Sequence, residues 1–145
     1  MEERDETRHV IQIEASKIEL CEKDAPWTRY LQGVIACFRK ETNTTIPPLR
    51  IAVLGDVPLG AGLSSSAALE VAMATVLEQV TGIRLEIPVK ARLCQRAEHE
   101  FAGVPCGIMD QYISAAAEES SALLLDCKTA GDACPVSNPE TFPAS

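Results

Sequence analysis

No run of apolar residues in this 145-residue sequence approaches the roughly 20 needed to span a bilayer. The start, Met-Glu-Glu-Arg-Asp-Glu-Thr-Arg, lacks the apolar core of a signal peptide. Basic charge is scarce as well. Thirteen Lys and Arg stand against 21 Asp and Glu, and the net charge of −8 argues against nucleic acid or an anionic membrane as partner. There are two histidines, and the six cysteines (Cys21, Cys37, Cys94, Cys106, Cys127 and Cys134) include no CxxC pair and no His at metal-ligand spacing. Neither a zinc site nor a disulfide framework is read from that spacing. Reduced thiols acting as small hydrophobes, in a soluble cytoplasmic protein, are the expectation.

What is present is ordinary in bulk, with 46% hydrophobic and 23% charged residues. The length fits one domain, able to bury about two-thirds of its unfolded surface. His9 to Ala15 reads as a strand. From Pro26 the residues Trp27, Tyr30, Leu31, Val34, Ile35 and Phe38 recur at three and four, which predicts an amphipathic helix with Trp27 and Tyr30 as core anchors. Leu49 to Leu54 is a β-branched strand pattern. A second helix is expected from about Ser65 to Val80, stopped by Gly82, and a third from Pro88 to about Phe101. A fourth begins near Ile108, and Ala122 to Cys127 is a continuous apolar run of buried-strand length. Thr129 to Ser145 has no periodicity and reads as an irregular tail. These elements give an α+β class with helices on one side of a few strands.

The most informative run is Pro58-Leu-Gly60-Ala-Gly62-Leu-Ser64-Ser65-Ser66-Ala-Ala-Leu69, between a strand and a helix. Glycines permit positive φ and leave no Cβ between ligand and backbone. Serines suit a helix cap, and the first helical N–H groups are free to point at an anion. A packed strand–helix turn would also use these residues. No Lys follows the second glycine, so this is not a GxxxxGK[ST] loop. A phosphate here would rest on backbone amides, hydroxyls and the helix dipole, with Ser66 offering its hydroxyl to a shared Mg²⁺.

Two acids follow, twelve positions apart. Glu98, in Arg96-Ala-Glu98-His99-Glu100, reads locally as a solvated helix residue, as does Glu100. Asp110 stands among apolar residues in Pro105-Cys-Gly107-Ile-Met-Asp110-Gln. It is either an acid favouring the helix dipole or a pocket carboxylate able to orient or deprotonate a hydroxyl. Gly107 would admit a substrate close to the backbone. His99 has no second His near it, and a structural hydrogen bond is expected.

Taken together these segments resemble the galactokinases of the GHMP kinase superfamily. Residues 58–68, PLGAGLSSSAA, look like the superfamily's phosphate loop, and residues 97–111, AEHEFAGVPCGIMDQ, look like the catalytic segment peculiar to galactokinases. ALLLDC (residues 122–127) resembles the strand that follows. The resemblance implies an incomplete N-terminal-domain part of the GHMP kinase fold (ribosomal protein S5 domain 2-like), covering residues 1–145. It further implies that Gly60, Ala61, Gly62, Leu63, Ser64, Ser65 and Ser66 contact the ATP phosphates. Ser66 and Glu98 would bind Mg²⁺, Asp110 would be the catalytic base, and Gly107 and Asp110 would meet the sugar. The implied reaction is transfer of the ATP γ-phosphoryl group to the C1 hydroxyl of galactose.

The sequence departs from the pattern in three places. The family's sugar signature, of the form GRVNLIGEHTDYN, is absent before Met1, and the third glycine-rich motif is absent before Ser145. This implies a fragment that is inactive alone. Ala117 and Ser120 stand where the family places glycine, which would cost about 1 kcal/mol if either needed positive φ. Alternatives in the same family are a kinase for N-acetylgalactosamine or another pyranose, and a regulator that binds sugar or ATP without turnover.

Overall fold

The computed structural model describes residues 9–13, 25–55, 57, 62–119, 121–123, 125 and 140–141. Two strands, β1 (His9–Ile13) and β2 (Leu49–Val53), pair antiparallel with Ile11 opposite Ile51. Along β2, Leu49, Ile51 and Val53 are half-buried against the helical core, while Arg50 and Ala52 are exposed. That is the period of a half-buried strand. The expected sixth residue, Leu54, lies past the strand and is exposed.

Four helices pack on one another, and the half-buried face of β2 lies against their core. They are α1 (Thr28–Thr42), α2 (Ser65–Thr81), α3 (Ile87–Ala97) and α4 (Met109–Ala116). The α1 stripe is the one its spacing predicts, with Leu31, Val34, Ile35 and Phe38 fully buried. Each such side chain contributes about 1.5–3 kcal/mol of burial. Arg39 and Lys40 favour the carboxyl end of the dipole, and Asn43, left-handed at φ 49°, ends the helix. Trp27 packs half-buried against this core; Tyr30 is half-buried too, at the functional site described below.

Helix α2 stops where glycine predicts. Gly82 adopts φ 73° and its N–H donates to the Glu78 carbonyl at 2.9 Å. The buried Glu78 side chain then holds the next connection, accepting the Leu85 N–H at 2.8 Å and pairing with Lys90 Nζ at 2.7 Å. Pro88 sits in the first turn of α3, where its missing N–H costs nothing.

The third helix is not α-helical as far as Phe101. From Glu98 to Ala102 it widens into a π-helical turn, closed by Gly103 at φ 71°. Helix α1 packs closely against this turn. A Cβ built on Gly33 of α1 would lie 2.9 Å from Phe101 Cβ and 3.0 Å from the Ala97 carbonyl oxygen. Glycine in mid-α1 therefore lets two backbones meet at the start of this turn. Turns of this kind gather at functional sites.

Beyond α4, Tyr112 is fully buried with Ala91, covered by Ile108, Ala116, Leu123 and Leu125. Ser121–Ala122 (β3) pairs antiparallel with Glu140–Thr141 (β4), so the tail expected to be irregular contributes a short strand. Only Ala122, Leu123 and Leu125 of the predicted strand 122–127 lie within the described residues. Ala117, where glycine was expected, has φ −63° and ψ 137°, an ordinary extended conformation that alanine adopts without strain. Ser120 lies outside the described residues.

Candidate active site

The approach to α2 is built from two left-handed residues, Gly62 at φ 71° and Ser64 at φ 53°. A Cβ on Gly62 would meet nothing within 4 Å, so conformation rather than crowding calls for glycine there. Ser64, at the N-cap, makes no side-chain cap hydrogen bond, contrary to the expectation that the serines cap this helix. A left-handed N-cap departs from the extended backbone that directs a serine oxygen at the next turn. The amino end of α2 is thus left without a side-chain cap. Leu63 is exposed, and Ser64, Ser65 and Ser66 are half-buried. Gly60 and Ala61 lie outside the described residues.

Glu98 occupies the junction of α3 and the π-helical turn and is only 4% exposed, where local sequence reads a solvated residue. Its neighbour Glu100 is exposed as expected. Glu98 Oε2 accepts two hydrogen bonds, from Gln111 Nε2 at 2.6 Å and from Cys106 Sγ at 3.1 Å. Gln111 Nε2 also lies 3.2 Å from Glu70 Oε2 and 3.6 Å from Cys106 Sγ. Glu70 and Gln111 are both fully buried, and Glu70 Oε1 and Gln111 Oε1 have no partner among the described residues.

This polar cluster perturbs its members. Burial, then the neighbouring Glu98 carboxylate, pushes Glu70 up to about 8. Burial and the hydrogen bond to Glu98 push the Cys106 thiol up to about 12. Tyr30 is raised by burial and by the fields of Glu98 and Glu70, within whose electrostatic reach it lies. Cys37 and Cys94 are buried apolar thiols, raised chiefly by desolvation.

The loop leading into α4 is fastened to the same turn. His99 Nε2 lies 3.0 Å from the Cys106 amide nitrogen and 2.9 Å from its carbonyl oxygen. Gln95 Nε2 already donates to that carbonyl at 3.1 Å. His99 Nε2 thus accepts the Cys106 N–H, the structural bond expected of it. Gly107 follows, exposed and with open space where a Cβ would stand. Asp110 is half-buried in the first turn of α4, next to Gln111.

Of the residues singled out in the sequence, Glu98 is tied through Gln111 to the first turn of α4, which carries Asp110. Ser66 stands one helical turn above Glu70, about 6 Å along α2 on the same face. Glu70 is joined through Gln111 to Glu98, and Gln111 is the next residue after Asp110. Local reasoning missed Glu70, Gln111, Cys106 and Tyr30. The signal was available for Glu70, which with Glu78 is one of two acids on the buried α2 stripe of Ala67, Val71, Ala74 and Leu77. Gln111 likewise sits beside Tyr112 on the buried side of α4.

No three His, Cys, Asp or Glu side chains converge as a metal cage among the described residues. One carboxylate with one hydroxyl is nevertheless a donor set that suits Mg²⁺ when substrate phosphates supply the rest. The uncapped amino end of α2 likewise suits a phosphate.

Comparison with known proteins identifies the family. The family model described as the GHMP kinases N terminal domain matches residues 29–118. The galactokinase of Homo sapiens is 47% identical over 103 residues, which is 71% of this chain and 26% of that protein. The galactokinase of Thermotoga petrophila is 43% identical over 117 residues, 81% of this chain and 32% of its own length. The crystal structure of Lactococcus lactis galactokinase complexed with galactose superposes with a TM-score of 0.70 at 30% identity, covering 82% of this chain and 30% of that one. The chain spans about a quarter to a third of the length of these relatives. With its family model, a relative's structure and the conjunction of loop, buried acid and α4 all in agreement, the chain belongs to the GHMP kinases, of whose N-terminal domain it forms part.

Proposed function

We propose that this chain carries the ATP-phosphate and magnesium side of a cytoplasmic galactokinase, which phosphorylates galactose at its C1 hydroxyl. Gly60 to Ser66 hold the ATP phosphates through backbone amides and hydroxyls at the amino end of α2. Ser66 and Glu98 hold Mg²⁺, which when bound neutralises charge on the phosphates. Asp110 accepts the proton of the sugar hydroxyl, and Gly107 gives the sugar access to the backbone. Orientation of these groups, more than covalent chemistry, supplies the rate in such transfers.

The observation that supports this reading most directly is the buried Glu98 carboxylate, 2.6 Å from the first turn of the helix that carries Asp110. A surface glutamate would have no reason to be desolvated there. The galactokinase identities reported above supply the substrate class. The sugar signature of the family is not in this sequence, so the 145 residues alone are proposed to bind nucleotide without turning over galactose.

The test is calorimetric titration of the chain with ATP, with and without Mg²⁺. Binding that depends on Mg²⁺ and weakens at least tenfold in Glu98→Gln is expected. ATP binding that ignores both the cation and Glu98, or no binding at all, refutes the assignment. A coupled assay with galactose, ATP and Mg²⁺ completes it. Turnover by the chain alone, abolished in Asp110→Asn, would show that the sugar signature is dispensable.

A further inference from the structure

Gln111 contributes to none of the roles described above, yet its side chain is fully buried between two carboxyl groups. An amide has two N–H donors on one nitrogen and no charge. It is therefore suited to bind two carboxyl groups at once without adding a third negative charge or a counter-ion. Here its Nε2 lies 2.6 Å from Glu98 Oε2 and 3.2 Å from Glu70 Oε2. The Cys106 thiol donates to Glu98 Oε2 from 3.1 Å. With two donors, Oε2 of Glu98 is committed to the protein interior, and Oε1 is the oxygen not engaged in these bonds.

We infer that Gln111 is a positioning residue, which holds the Glu98 carboxylate in the orientation that binds the divalent cation and ties that acid to the turn carrying Asp110. This rests on the reading of Glu98 as the metal acid. Glu70 is the anchor behind it. It is buried on α2 one turn below Ser66, so Gln111 links the helix that meets the phosphates to the acid that meets the metal. Partners of this kind are typically worth 10- to 100-fold in metal affinity. The link also accounts for a neutral polar side chain at a fully buried position beside Tyr112, where an apolar residue would otherwise be favoured.

The experiment compares the parent chain with Gln111→Met, which keeps length and removes both donors. ATP affinity is measured by calorimetry with and without Mn²⁺ as the probe cation, and Mn²⁺ occupancy by its electron paramagnetic resonance signal. The ratio of ATP affinities with and without Mn²⁺ is expected to fall about tenfold in the variant. A purely structural role would weaken both affinities together and leave the ratio unchanged, and that result overturns the inference. If the parent itself shows no cation-dependent ATP binding, the reading of Glu98 fails instead, and the two failures are distinguishable. A second measurement needs no variant. The side-chain amide resonances of Gln111 in the isotope-labelled parent are expected to shift when Mg²⁺ is added to the ATP-bound chain. Resonances that ignore the cation in a chain that binds it refute the role of Gln111.

Discussion

Replacing Glu70 by Gln is expected to make this protein more stable at neutral pH, although it removes a native carboxyl group from the centre of the molecule. Glu70 is fully buried, and burial with the nearby Glu98 carboxylate pushes it up to about 8, against an ordinary value of 4.5. Between those two values the folded protein keeps a proton that the unfolded chain has lost. The folded state then binds more protons, so stability falls as pH rises, by at most about 1.4 kcal/mol per pH unit. Its contribution is fully present below about pH 4.5 and is lost as pH rises toward 8. At pH 7.5 the penalty reaches about 4 kcal/mol, and near pH 5 it is under about 1 kcal/mol. Gln is isosteric with the protonated acid, does not titrate, and keeps an acceptor for Gln111 Nε2.

Urea unfolding of both proteins at pH 5, 6, 7 and 8, followed through the single tryptophan, Trp27, reads this directly. Every other ionisable group is common to both proteins, so its contribution cancels in the difference. The stability gap is expected to open steadily in favour of Gln from pH 5 to pH 8. Parallel stability curves, or a Gln variant weaker than the parent at pH 7.5, would refute the account of Glu70 as a desolvated, proton-retaining acid. Of the groups that act on it, Glu98 raises it further and only the Gln111 hydrogen bond opposes the desolvation, with no cation among the described residues doing so.

Other perturbations test the framework around the site. Gly33→Ala places a methyl 3.0 Å from the Ala97 carbonyl and 2.9 Å from Phe101 Cβ. It is expected to cost about 1–3 kcal/mol by urea unfolding and to weaken Mg²⁺-dependent ATP binding, because the turn that carries Glu98 must move. A Gly33→Ala protein as stable as the parent would show that α1 and the π-helical turn are not in the contact described. Glu78→Ala strands the nearly buried Lys90 ammonium and the Leu85 N–H, and about 3 kcal/mol or more should be lost. Because the defect is an uncompensated charge, Glu78→Ala combined with Lys90→Met should recover part of that loss. A double variant no better than the single one would count against the ion pair as the cause.

Much of the fold was legible because its determinants are local. The α1 stripe lies within eleven residues, Gly82 stops α2 by its own backbone freedom, and Pro88 marks the start of α3. The limits of this local reading appear wherever a distant segment intervenes. A π-helical turn replaces the last turn predicted for the third helix, and it packs against α1 at Gly33, 65 positions before Glu98. The N-cap serine fails to cap because Ser64 is left-handed, a choice that serine's local preferences do not predict. For the site, residue types and spacing pointed to a phosphate loop and to Asp110, whereas Glu98 rose above a surface charge only through a family resemblance.

The sequence by itself determined which segments are helical, where the glycine–serine loop meets a helix, and which superfamily the motifs resemble. Those properties follow from periodicity, glycine and the order of short motifs along the chain. Tertiary structure alone decided the state of the acids. Whether a glutamate is hydrated or stripped of water depends on what packs over it, and the buried Glu70 and Glu98 share a hydrogen-bond partner in Gln111, 41 and 13 residues away. Charge in a protein is set by its surroundings, and surroundings are long-range.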